Sequence, residues 1–504
     1  MAFYQGAQIE LTRKIDASRR KFLQKSAQLA AMGVGLPVAL NLAAVGNAAA
    51  FNATDYKALV CIFLAGGNDQ DNTVVNYDIA SYNAYSAARG QIALDRQAIL
   101  PLGAVLNDST RQYGLHPAMA GIQRLYAAGK AGVVLNVGPL VVPLNKAQYL
   151  ERGANYPQPP QLFSHNDQAA VWQCGEPEGA TVGWGGRIGD VALTSSAGAA
   201  TFTCISLSGN TAFLAGKSAV MYQGSPSSGA VKINAASDPS FNSTSVATAV
   251  SRLIQQPSSH LLENEYSKVT RRAMDNQAAV VRAISMGDAA NTLVAGGQAS
   301  NPKFAPFSES VLLGNELAVA LQMVARIIAG RNVLTAKRQV FYIAAGGFDL
   351  HDNLIAGQQR NMNNLNRALT AFYDTTKLLG IDDSVTAFTA SDFGRTLTSN
   401  GDGSDHGWGG HHLVVGGAVD GGKIHGYAPP VGVGNSLTGV DAWQVGQGRL
   451  IPTTSVDQYS ATLARWFGVE DSELGTIFPN LKNFNGQTQS GITYPRTLNF
   501  MRST

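Results

Sequence analysis

The sequence predicts one large, doubly wound α/β domain: a mostly parallel sheet flanked by helices. Three observations predict it. Short β-rich runs alternate with helical patterns along most of the chain. Those runs are continuously apolar, as strands covered on both faces must be, rather than alternating. Of the 504 residues 45% are apolar and only 14% are charged, so the chain can bury a large core and is not globally disordered. No Gly-X-Y period and no sustained Lys/Glu-rich heptad is present, which excludes collagen-like and coiled-coil proteins.

The first element is a targeting segment over residues 1–50. It runs from the basic Ser18-Arg19-Arg20-Lys21-Phe22-Leu23 through an apolar stretch, Leu29–Val45, to Asn47-Ala48-Ala49-Ala50. Paired arginines, an apolar centre and an Ala-x-Ala end predict a twin-arginine signal cleaved near Ala50 and a periplasmic or secreted product. Gly33, Gly35 and Pro37 interrupt the apolar stretch and argue against a stable membrane anchor. The segment also explains the formal net charge of +3: it holds six basic and two acidic residues, leaving 31 basic against 32 acidic in the rest. Residues 51–504 therefore carry no basic excess for binding nucleic acid.

Within 51–504 the expected strands are Ala58–Leu64, Gly132–Val137, Phe202–Leu207, Gln339–Ala344, Ser384–Ala390 and Leu413–Val415. Helical patterns cover Pro117–Ala128, Asn166–Gln173, Leu261–Ala289, Ser310–Ala329, Gln359–Leu379 and Asp457–Phe467. Residues of about 209–300 are rich in Ser, Gly, Asn and Ala before turning helical, and read as an insertion or cap. Cys61 sits in a buried strand, whereas Cys174 and Cys204 are either bridged or free in an oxidising compartment.

Several chemistries are absent. There is no Gly-x-Ser-x-Gly elbow, no His-Glu-x-x-His zinc helix and no Cys-x-x-Cys knuckle. Three Asp/His-bearing loops stand out instead, each directly after a predicted strand: Gly66–Asn72 with Asp69, Gly346–Asn353 with Asp349 and His351, and Ser391–His412 with Asp392, His406, His411 and His412. In an open parallel sheet the ligand site lies outside the carboxyl ends of the strands, so these loops should converge there. Mixed imidazole and carboxylate is the ligand set of Zn²⁺, Mn²⁺ and similar divalent ions. Each loop also has a plainer reading. Gly-Asn-Asp is a common turn, Asp349 and His351 could cap the next helix, and adjacent His411 and His412 could point to opposite sides of the sheet.

The motifs Gly66–Thr73, Gly346–His351, Asp392–Thr396 and Asp405–His412 resemble those of a family of twin-arginine-exported bacterial proteins known as domain of unknown function 1501. That family is in turn similar, more remotely, to the alkaline phosphatase, sulfatase and phosphoglycerate mutase superfamily. The superfamily uses two divalent metals and a Ser or Thr nucleophile at a helix start. The resemblance implies that Asp69 serves one metal and the Asp349/His351 pair the other. Asp392 matches the Asp of the superfamily's Asp-His pair, with Phe393 in place of the His; His406 would supply that imidazole, and His411 or His412 the distal one. Ser164, before the helix Asn166–Gln173, stands as nucleophile or as ordinary N-cap. Arg187 and Arg395 are candidate anion holders or structural ion-pair residues.

The expected function is an exported metal-dependent hydrolase of phosphate or sulfate esters, small-molecule or polysaccharide, whose other partner is the twin-arginine machinery. The rival is a non-catalytic exported protein on the same fold that binds metal or polysaccharide. Phe393 favours the rival, and the density of polar loop residues favours the enzyme.

Overall fold

The computed structural model describes residues 53–193, 200–231, 243–289 and 302–502; the expected export signal lies outside the described residues. The central sheet has nine strands: β1 (Lys57–Leu64), β2 (Ala131–Gly138), β3 (Cys204–Ser206), β4 (Tyr222–Gln223), β5 (Arg338–Ala345), β6 (Val385–Ser391), β7 (Gly410–Gly416), β8 (Ile424–His425) and β9 (Thr454–Ser455). Their spatial order is β8-β2-β7-β6-β1-β5-β3-β4, with β9 also on β2. All pairings are parallel except those of β7, which runs against both β6 and β2. The mostly parallel α/β sheet is thus as the apolar runs predict.

The helices that matter here are α1 (Ile79–Arg89), α2 (Ala120–Ala127), α3 (His165–Cys174), α4 (Trp184–Ala192), α5 (Thr244–Ile254), α6 (Leu261–Ala289), α7 (Glu316–Ala329), α8 (Leu354–Leu378) and α9 (Val456–Phe467). Every residue of β1 is buried. Ala58, Val60, Ile62 and Leu64 join one core cluster with α2, α7 and α8. On the other side Trp184 of α4 and Tyr459 of α9 pack against Phe388 of β6, and Trp172 of α3 packs edge-on against His412 of β7. Burying both faces this way is what requires the strands to be apolar throughout.

Four features differ from the sequence expectations. The predicted helix Ser310–Ala329 is broken into Glu309–Leu312 and α7, because Gly314 turns to φ +65° and the Asn315 side chain then caps α7 at Ala318 N. Helix α1 and a separate antiparallel sheet (Val74–Asn76, Leu100–Val105, Asp108–Leu115) occupy a stretch with no periodic signal. Helix α4 contains three glycines, because a Cβ at Gly186 would stand 2.1 Å from the Ala215 carbonyl carbon. Within residues 209–300, expected as an insertion or cap, Tyr222–Gln223 belongs to the central sheet. Cys61, Cys174 and Cys204 are all free thiols, and all buried. Among the described residues no helix is long and apolar enough to cross a membrane.

Candidate metal centre

The site forms where the loops after β1, β5 and β6 meet the start of α3. The loop after β1 turns through Gly66 and Gly67, at φ +116° and +81°. Both positions require glycine: a Cβ on Gly66 would lie 2.4 Å from Asp349 N, and one on Gly67 would lie 2.3 Å from the Phe393 ring. The loop after β6 is stitched to the segment before β7 by Gly394 N to Trp408 O (3.0 Å) and Thr396 N to Asp405 O (2.9 Å). Because β7 is antiparallel, the segment leading into it, with His406, lies at the same carboxyl edge as Asp392.

Arg395 fixes the Asp349 carboxylate. Its side chain is fully buried, donating from Nη1 to Asp349 Oδ1 (2.8 Å) and Gly66 O (3.0 Å), from Nε to Ser404 Oγ (3.0 Å), and from Nη2 to Ser404 O. Its backbone is held in turn by Gln70, whose Oε1 accepts from Arg395 N (2.6 Å) and whose Nε2 donates to Arg395 O (3.0 Å). Burial would raise the Asp349 carboxyl, but Arg395 and the nearby imidazoles outweigh it and hold it below the usual carboxylate range.

Three imidazoles face Asp349. His165 Nε2 is 3.5 Å from Asp349 Oδ2, His351 Nε2 is 3.0 Å from Oδ1, and His406 Nε2 is 3.5 Å from Oδ1. His351 Nε2 and His406 Nε2 are 2.9 Å apart. Two of the three are oriented from behind. His406 Nδ1 donates to Phe163 O (2.8 Å), and His165 Nδ1 donates to Asp392 Oδ2 (2.6 Å), which also accepts from Gly66 N (3.1 Å). Those bonds turn both Nε2 atoms toward Asp349. Backing of this kind orients metal-binding histidines. The hydrogen bond to Asp392 raises the affinity of His165 for a proton; burial, helped by the charges of His165 and Arg395, lowers that of His406. Phe393 lies 4.7 Å, centroid to centroid, from both His165 and His406 and buttresses the two rings.

The donors fit a divalent ion. His165 Nε2 is buried yet makes no hydrogen bond. Ligand atoms of His165, Asp349 and His406 lie within 4.8 Å of one another. A tetrahedral site with bonds of about 2.0–2.1 Å places its ligands about 3.3 Å apart, and the contacts of 2.9–3.5 Å above bracket that value. Imidazole with carboxylate suits Zn²⁺ or Mn²⁺.

The other sequence candidates stand apart from this trio. Asp69 is fully buried in an ion pair with Arg89 of α1. His411 Nδ1 accepts from Asn136 N (3.0 Å) with its ring edge-on to Tyr113, while His412 lies beside Thr389, Trp172 and Tyr459. Burial drives both imidazoles down to about 3, so they are neutral packing groups. Arg187 is bound to Ile477 O (3.0 Å), Val182 O (3.3 Å) and Glu176 (3.3 Å). Ser164 is the N-cap residue of α3, but its hydroxyl does not cap; it donates to Asp167 Oδ2 at 2.8 Å. His165 itself was missed from the sequence. Its signal was its place directly after Ser164 at a helix start, the same feature that drew attention to the serine.

Fold and site together define a doubly wound α/β protein with a His/Asp cluster that could hold a metal at the carboxyl edge of its sheet. The chain belongs to the family described as protein of unknown function DUF1501, whose model matches residues 56–478. No curated protein sequence matches it. Among solved structures it is similar to a mutant of alkaline phosphatase PafA, with 12% identity and a TM-score of 0.26, over 68% of this chain. The match spans 64% of that phosphatase chain.

Proposed function

We propose that this is an exported, divalent-metal-dependent hydrolase of phosphate or sulfate esters. The observation that carries the reading is the convergence of His165, His351, His406 and Asp349 at the start of α3, whose N-cap position is Ser164. An ion bound by these four residues would supply Lewis acidity to an ester oxygen. Ser164 Oγ is the nucleophile and Asp167 takes its proton: the oxygen attacks phosphorus or sulfur, the alcohol leaves, and water later releases the acid. The unpaired N–H groups of the first turn of α3 hold the anionic oxygens. Arg395 positions Asp349, and its bound donors leave substrate anchoring to that helix end. Export through the twin-arginine route follows from Arg19-Arg20 and the apolar run behind them.

Turnover of aryl phosphate, phosphodiester and sulfate esters with added Zn²⁺ or Mn²⁺ tests the reading. Ser164→Ala should abolish hydrolysis while keeping metal content. Equal turnover by the variant removes the serine from the reaction. Full metal occupancy without turnover of any ester transfers the protein to the non-catalytic, metal-binding reading.

A further inference from the structure

Helix α6 is 29 residues long, about 43 Å. Its buried apolar contacts, Val280, Ala283 and Ile284, all lie in the second half and join the core shared with α7. The first half presents Leu262, Tyr266 and Val269 to solvent at 73%, 67% and 54% exposure. Their spacing of four and then three residues is that of a coiled-coil seam. Helix α5 extends the patch: Leu253 is 67% exposed and lines one groove with Leu262 and Tyr266. A contiguous apolar surface of this kind marks an interaction site.

We propose that this face joins two copies of the chain, α6 against α6, antiparallel. The charge order selects that partner. Glu263 and Glu265 precede the seam's centre, and Lys268, Arg271 and Arg272 follow it. A two-fold axis between Tyr266 and Val269 packs Tyr266 on Val269 of the second copy and sets Glu265 opposite Arg272. Parallel pairing would set acid against acid. Glu265 also contacts Lys268 of its own helix at 2.7 Å, and a carboxylate accepts from both.

Sedimentation equilibrium on the full chain tests this. The wild type should be a monomer–dimer mixture, and Leu262→Glu with Tyr266→Glu, both at exposed positions, should be monomeric with an unchanged circular dichroism spectrum. Arg272→Glu should weaken dimerisation about tenfold through its two symmetry-related pairs. Adding Glu265→Arg should restore it, which no unrelated partner would do. A wild type that stays monomeric up to about 100 µM, or dimers indifferent to Leu262→Glu with Tyr266→Glu, would overturn the proposal. So would capture of monomeric wild type by phosphatidylglycerol vesicles, which would assign the face to a membrane.

Discussion

His165 shows how one residue depends on its backing. Its Nε2 faces Asp349 because Asp392 holds Nδ1 at 2.6 Å, and Phe393 supports the ring from the side. Asp392→Asn keeps the shape but removes the charge that fixes the imidazole. Zn²⁺ affinity should therefore fall about 10- to 100-fold in a competitive chelator titration; an unchanged affinity would remove Asp392 from the site. A second buried carboxylate gives a pH test away from the centre. Asp457, near the start of α9, is buried and pushed up to about 7 by that burial. Its folded pKa exceeds the unfolded value of about 3.9, so between those limits the native state binds a proton the unfolded state lacks. Its contribution to stability is present at low pH and is lost as pH rises toward 7. Asp457→Asn removes that loss, so the variant should gain on the wild type by on the order of 2–4 kcal/mol between pH 4 and pH 8. Parallel urea-denaturation curves at the two pH values would contradict it.

At the scale of elements, strands and loops were legible for different reasons. β1, β5 and β6 are buried on both faces, so their apolar runs identify them without context. The Asp/His loops announce themselves by composition, and two of the three, carrying Asp349, His351 and His406, do meet. The third joins them through its backbone but not its carboxylate: Asp69 is drawn to Arg89 of α1, a helix with no strong apolar period, so the partner that claims it was invisible. The fate of His411 and His412 was equally hidden. They sit in β7, and strand alternation sends one to Tyr113 and the other to Trp172. What the loop after β1 does contribute is its two glycines, which let it press on the loops after β5 and β6. Gly67→Ala adds a methyl against Phe393 in backbone at φ +81° and should cost about 2 kcal/mol or more in chemical denaturation. It should also lower metal affinity, since Phe393 packs against the rings of both His165 and His406. Wild-type stability in Gly67→Ala would mean that the contact is loose.

For the whole molecule, the account reduces to a scaffold and a centre. A sheet buried on both faces holds its carboxyl edge rigid, an antiparallel β7 returns the chain to that edge with His406, and α3 enters beside it with His165 and Ser164. Three imidazoles, those of His165, His351 and His406, thus come together around Asp349, with Arg395 beneath them. Ester chemistry and the role of Ser164 both depend on that centre holding an ion. The most direct test is metal content by inductively coupled plasma mass spectrometry, on the purified chain loaded with Zn²⁺ or Mn²⁺ and freed of excess metal. The account predicts one ion per wild-type chain and background levels in a folded His165→Ala, Asp349→Ala double variant. A wild type that retains no metal, or a double variant that retains as much as the wild type, would contradict it.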